Sequence, residues 1–523
     1  MKKLLISALC LATMWSCSTD DPATPENQAG DMYMQLSLKM ETKSGTTDQG
    51  GSDAAPGTEV GLDIENKVSK VDVVLKNGTT VVYAKNVSTI SSASKDTYVA
   101  SFNSLELTGN TTYAVYIYAN CSAPDAFDKD AVSTATVADM TAENNFWMTS
   151  AYNAEESGNK VTLPQDLSLY TVPQNPYNLG AYNVERSMAR FDYMPINENK
   201  YNILKDEATN ATITLTQAAL INQSKEHFML RRVSADGTNN GAVVGGAENR
   251  TNFVVDTDYD EKAGGYVDGL GKNFDYHLTA PNSWDWRSIA VNDLKQKDNW
   301  DGEDDGTTDY DGTHDLNEYY VWQYAKENTI PGDKIQDHGI STGVVFKGEI
   351  TGAAVDAANN GMIYVFENVL YGNWAAVVTA SQATNAPATL VAAVNNVKNA
   401  FGEATVTDPT DATTAKYFSE AGFTGYNPDS EGKYYAYYYY WNRHNDNGDN
   451  TKMGPMEFAV VRNNVYKLCV DKIAKFGHPD PTDPKNPDPD PVDPVDPDEE
   501  INYYFTVTVK VLPWVVRVNH IEF

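Results

Sequence analysis

The chain has 523 residues and a formal net charge of -33, from 72 Asp and Glu against 39 Lys and Arg. With no basic patch to offset it, that charge excludes nucleic acid as a partner, because phosphates need Lys and Arg, and suits an exported, self-repelling surface protein. The length exceeds what one β-sandwich uses and asks for more than one core.

In chain order, "MKKLLISALCLATMWSC" sets Lys2 and Lys3 before an apolar stretch from Leu4 to Trp15. The stretch is too short to cross a bilayer as a helix and has the form of a secretory signal, which is removed. Ser16 before Cys17, with the acidic pair Asp20 and Asp21 just after, resembles a bacterial lipoprotein signal in which Cys17 becomes the lipidated first residue. The alternative is an ordinary signal peptidase site nearby. Residues 1–16 are thus read as signal peptide and 17–30 as a polar linker. No later apolar run approaches a membrane span, so acyl chains on Cys17 would be the attachment to the outer membrane.

The next segment, "DMYMQLSLKM", alternates Met32, Met34, Leu36, Leu38 and Met40 with Tyr33, Gln35, Ser37 and Lys39. Period two of this kind reads as a strand, here of edge type. From Thr42 to Gly61 the chain is rich in Gly, Ser, Thr and Asp, composition that suits an exposed loop open to nicking. Residues 31–61 are therefore the first strand and a cleavable loop.

Residues 62–183 supply further strands, including a hairpin in "KVSKVDVVLKNGTTVVYAKNV" with Asn77-Gly78 as its two-residue turn, and a short helix around "DKDAVSTATVADM". A second strand-rich group spans 184–478, with longer loops and one helix, "ATLVAAVNNVKNAFG", closed by Gly402. The expectation is a mainly β protein of two β-sandwiches. Cys121 and Cys469 could pair in an oxidising compartment, but they fall in different groups and read better as two buried thiols.

Residues 479–500 are an Asp-Pro run, extended and solvated, reaching roughly 3.1 Å per residue. Residues 501–523 follow as strands: Tyr503, Phe505, Val507, Val509 and Val511 share one face, and after Pro513 a second run carries Val516 and Val518. A strand on such an arm pairs either with its own domain or with the next molecule.

Other features point elsewhere only weakly. "NWDGEDDGTTDYDGTHD" at 299–315 is carboxylate-rich but lacks the spacing of a calcium loop and reads as solvated. "KYYAYYYYWNRHNDNGDN" at 433–450 offers rings for stacking sugars, although alternating aromatics more often face a core on one side and line a sheet on the other. The seven histidines show no metal spacing, and no catalytic arrangement is evident, so neither enzymatic activity nor a cofactor is expected.

"VERSMAR" at 184–190, "VVRNNVYKLCVDKI" at 460–473, the Asp-Pro arm and the terminal "VTVKVLPW", in this order, resemble the short-type major fimbrillins of Bacteroidales, shaft subunits of type V pili. The resemblance implies a transthyretin-like two-sandwich subunit, exported as a lipoprotein. It also implies proteolytic removal of the strand bearing Met32 to Met40 and polymerisation by donor-strand exchange, with the tail filling a neighbour's groove. The implied partners are other copies of the chain, other pilus subunits, the outer membrane before maturation, and surface receptors or glycans. In the best-known branch an arginine after the first strand is cut; here no arginine precedes Arg186, and Lys43 is the basic residue in that loop. A surface carbohydrate-binding lipoprotein that never polymerises, or an accessory or tip pilin, is the alternative.

Overall fold

The computed structural model describes residues 29–40, 61–94, 97–143, 145–205, 208–235, 237, 239, 241–245, 252–257, 274–275, 284–294, 319–329, 341–402, 405–444, 456–481, 505–513 and 517–519. Cys17, Lys43, Tyr503, Val516, the 299–315 loop and most of the Asp-Pro arm lie outside the described residues.

Among the described residues the N-terminal half is built on a nine-stranded sheet. Its principal strands are β1 (Ala29–Met40), β2 (Thr97–Thr108) and β3 (Tyr177–Arg186). The order across the sheet is Thr80–Val87, Val71–Asn77, Thr112–Ala119, Met148–Ser150, β3, β1, β2 and Ile90–Ser94, with Lys160–Thr162 paired to Thr112–Ala119. The strands share one core, to which Met34, Leu38, Val73, Phe102, Ile117 and Val184 contribute.

Three expectations need correction here. β1 is not an edge strand: it is hydrogen-bonded on both sides, parallel to β3 and antiparallel to β2. Alternation reports a strand with one buried face, and an interior strand of a one-sided sheet shows it as readily as an edge. The hairpin turn is Gly78-Thr79, because Asn77 still pairs with Thr80; Gly78 takes the positive φ of 55° that such a turn requires at its first position. The helix in the 128–140 region shrinks to Val137–Met140, started by Thr136, whose hydroxyl accepts the Asp139 N–H at 3.1 Å.

The second half is a sandwich. Its strands are β4 (Ala189–Met194), β5 (Tyr320–Ala325), β6 (Gly343–Thr351), β7 (Tyr434–Trp441), β8 (Asn464–Ile473), β9 (Phe505–Pro513) and β10 (Arg517–Asn519). One sheet runs β5, β4, β8, β9, β10; the other runs Lys200–Lys205, Ala208–Ile221, β6, β7. Phe191, Tyr320 and Leu468 from the first meet Ile213, Phe346 and Tyr438 from the second in a common core.

Three helices, α1 (Trp374–Ser381), α2 (Ala388–Ala400) and α3 (Ala412–Ser419), build a satellite core around Trp374, Val394 and Phe418. Gly402, at φ 65°, closes α2 as expected. Sequence periodicity passed over α1 and α3, which are short and are fixed at their starts by Asn373 and Asp411 accepting backbone N–H groups. Cys121 and Cys469 are buried free thiols, one in each half, and burial pushes the Cys121 thiol up to about 12.

Candidate functional site

β1 fills a slot that no other described strand covers. Met32, Met34, Leu36 and Leu38 are fully buried and Met40 nearly so, whereas Lys39 is exposed. Against β2, Met34 lies opposite Phe102, Leu36 opposite Ala100 and Leu38 opposite Tyr98. Against β3, Met34 pairs with Tyr177, Leu38 with Tyr182 and Met40 with Val184. Between those pairs β3 bulges, placing Leu179 and Gly180 opposite Leu36, and Gly180 takes φ 112°, a conformation that only glycine adopts easily.

Two consequences follow from the topology. Without β1 the sheet divides, leaving β2 with Ile90–Ser94 on one side and the remaining strands on the other. The exposed slot would present unpaired amides and carbonyls, the usual liability of an open edge. Five apolar side chains would leave it, a gross loss on the order of 10 kcal/mol at about 2 kcal/mol each. Because β1 precedes every other described strand, a single cut after Met40 is enough to detach it.

The tail is folded at home. β9 lies antiparallel to β8, with Val509 opposite Leu468, Val507 opposite Val470 and Phe505 opposite Ile473, and Val511 pairs with Tyr466. β10 turns back on β9 and pairs Val518 with Lys510 at the sheet's edge. Pro513 ends β9, as expected of a residue with no N–H to donate.

The root of the arm is fastened to β7. The Tyr437 and His478 backbones exchange two hydrogen bonds of 2.8 Å, and the Tyr439 hydroxyl donates to the Pro481 carbonyl at 2.9 Å. Along β7, Tyr434, Ala436, Tyr438 and Tyr440 enter the core while Tyr435, Tyr437, Tyr439 and Trp441 are half-buried outside. The outer rings are already in contact: the Lys347 ammonium sits 3.9 Å from the Tyr435 ring, and Trp286 packs 6.0 Å from Tyr437.

Where the chain passes from β3 to β4 it crosses from one half to the other, and charged groups are buried there. Arg190 gives its Nε and Nη2 hydrogens to Asp192 at 2.8 Å and its Nη1 hydrogens to Glu65 Oε2 at 2.9 Å and Oε1 at 3.2 Å, with all three side chains fully buried. The Tyr324 hydroxyl donates to Glu65 Oε1 at 2.7 Å; burial and the Glu65 charge hold that hydroxyl's pKa well up, so it stays a donor. Arg186 reaches the Glu65 carbonyl at 3.2 Å, the Asn463 side chain at 3.3 Å and the Asn66 side-chain oxygen. Arg231 pairs with Glu185 nearby.

The two short motifs therefore meet: Arg186 belongs to "VERSMAR" and Asn463 to "VVRNNVY", 277 residues apart. Of the residues singled out in the sequence, Met32 to Met40 are brought together in the slot, and Phe505, Val507, Val509, Val511 and Val518 lie on the tail strands. The buried Glu65, Asn66, Arg190 and Glu327 were not anticipated. Only Arg190 carries a signal in the sequence, as a charge inside the strand Ala189–Met194; Glu65, Asn66 and Glu327 lie outside the strands.

Residues 432–520, from β7 through the tail, match the family model described as the C-terminal region of fimbrillin, major fimbrial subunit protein type IV. No curated protein matches the chain. Among solved structures, a fimbrillin from Porphyromonas gingivalis is similar at 12% identity and a TM-score of 0.33, over 94% of this chain and 99% of that one. The tip fimbrial protein Mfa3 from the same organism is similar at 8% identity and a TM-score of 0.32, over 92% and 100%. A candidate cell adhesion protein from Parabacteroides distasonis is similar at 13% identity and a TM-score of 0.39, over 92% and 100%. Over residues 432–520, then, the chain is similar to the C-terminal region of the fimbrillins.

Proposed function

We propose that this chain is a fimbrial shaft subunit, exported as a lipoprotein on Cys17, matured by removal of β1, and polymerised head to tail by a neighbour's C-terminal strand. The observation that carries the reading is the position of β1: five core side chains on a strand paired on both sides, yet releasable by one cut. A strand entering the slot would regain ladder hydrogen bonds and core contacts together, which is β-strand addition used as an assembly bond. The contact is heterologous and yields open filaments.

The tail supports a donor role by its attachment. β9 shares nine register pairs with β8, whereas β10 shares three with β9 at an edge, so the segment after Pro513 is the part that leaves at least loss. The cut falls at Lys43 or elsewhere within residues 41–61. The family is structural, and the reading assigns no reaction and no cofactor.

N-terminal sequencing of subunits purified from surface fibres tests it. The expected sequences begin after Lys43 or within residues 41–61, and deletion of 503–523 abolishes fibres in negative-stain micrographs. Intact "DMYMQLSLKM" in the polymer would overturn strand removal.

A further inference from the structure

We infer that Glu65 is a latch that keeps the chain just downstream of the cut on the body of the subunit when β1 leaves, so that the slot stays open for an incoming strand. The inference rests on the strand-removal reading and adds to it a positioning residue.

Residues 62–66 sit where the two halves join, and groups from three strands hold them. Arg186 ends β3, Arg190 lies in β4 and Tyr324 in β5. Both Glu65 carboxylate oxygens are doubly engaged: Oε1 accepts from Tyr324 at 2.7 Å and Arg190 at 3.2 Å, and Oε2 from Arg190 at 2.9 Å and the Leu62 N–H at 2.7 Å. The adjoining Asn66 is held by Arg186, and its side-chain amide donates to the Gly61 carbonyl at 3.3 Å. Further on, Asn120 accepts the Ser69 N–H at 2.9 Å and donates to the Lys67 carbonyl at 2.7 Å.

The charges in the cluster balance, with Arg186 and Arg190 against Glu65 and Asp192, all within 1% exposure. A buried carboxylate saturated in this way does not exchange its partners for water, and removing it strands a buried guanidinium. The contrast with β1 is one of kind. Apart from its peptide connection, β1 is held by ladder pairing and apolar contact, which another strand of like pattern can replace; residues 62–66 are held by specific ion pairs that no incoming strand supplies. A cut between them thus separates a replaceable segment from a fixed one.

The test uses the full chain and trypsin, with cleavage after Lys67 and Lys70 read by mass spectrometry. In the wild type, Lys43 is cut while Lys67 and Lys70 resist. In Glu65→Ala, cleavage at Lys67 and Lys70 is expected to rise at least ten-fold, and in Tyr324→Phe, which removes one donor to Glu65, about three-fold. The second variant decides if the first does not fold. The nicked chains are then allowed to polymerise: wild type forms fibres, and Glu65→Ala forms several-fold fewer. Unchanged Lys67 and Lys70 cleavage in both variants overturns the latch whatever the fibres do. Failure of nicked wild type to polymerise, with Lys67 and Lys70 cleavage raised in the variants, leaves the latch standing as an anchor and overturns the assembly reading on which its role depends.

Discussion

Arg462 and Glu327 face one another with both side chains essentially excluded from solvent: Nε and Nη2 of the arginine donate to one carboxylate oxygen at 3.0 and 2.8 Å. Nη1 and Nη2 also donate to the Met229 and Phe228 carbonyls at 3.1 and 2.6 Å, so four hydrogen bonds hold the guanidinium. A buried pair of this geometry contributes little net stability but punishes the loss of one partner. Glu327→Ala is therefore expected to lower unfolding free energy by about 3–5 kcal/mol, measured by denaturant titration. Arg462→Lys should recover little, since an ammonium cannot reproduce the planar fork. A loss below about 1 kcal/mol for Glu327→Ala would show that the site admits water.

How far the sequence carries is clearest at such residues. The alternation of Met32 to Met40 located β1 and its buried face, because period two is a local property. Its place inside the sheet was not legible, since that depends on β2 and β3 arriving from distant positions. Arg186 and Arg462 fall in the motifs "VERSMAR" and "VVRNNVYKLCVDKI", yet their acceptors, Asn463 and Glu327, are remote in sequence and chemically ordinary. Asn77-Gly78 reads as a turn that the pairing shifts by one residue, because Asn-Gly and Gly-Thr both fit a two-residue loop.

The buried thiols give a pH prediction with a definite sign. Burial holds the folded Cys121 thiol protonated up to about 12, while an unfolded thiol ionises near roughly 8.5. Between those values the unfolded state binds fewer protons, so stability is intact below the lower value and falls as pH rises, by about 1.4 kcal/mol per pH unit from this group. Cys121→Ala should flatten the alkaline limb of the stability curve by about one proton, whatever it does to stability at pH 7. Iodoacetamide should leave Cys121 and Cys469 unlabelled in the folded chain and modify both in denaturant. An alkaline limb of identical slope in Cys121→Ala would refute the assignment.

Lipidation is tested separately from assembly. With Cys17→Ser, the precursor is expected to stay in the periplasm and to take up no radiolabelled palmitate, whereas a change at Cys10, inside the apolar signal, leaves labelling in place. Palmitate on the Cys17→Ser chain would remove the lipoprotein step.

The tail distinguishes an anchored strand from a donated one. β9 is paired along its length with β8, and Val509 is the register partner of Leu468, whose side chain lies in the sandwich core. An aspartate at Val509 puts a charge at the register position opposite Leu468, and the monomer's melting temperature should fall by several degrees, as expected for about 1–3 kcal/mol in a chain of this size. β10 is an edge strand of three residues, so Val518→Asp should leave the melting temperature within about a degree. Its effect belongs to the polymer: a charge carried into the slot vacated by β1 would enter ground that five apolar side chains now fill, and fibres should disappear. Thr508→Asp, at the neighbouring register position opposite Cys469, should alter fibres little. The two readouts separate the roles, because a strand that stays at home reports in the monomer and a strand that crosses reports only in the fibre. Normal fibres from the chain carrying both Val509→Asp and Val518→Asp would exclude the C-terminal strands as the joint and leave the Asp-Pro arm as an ordinary linker.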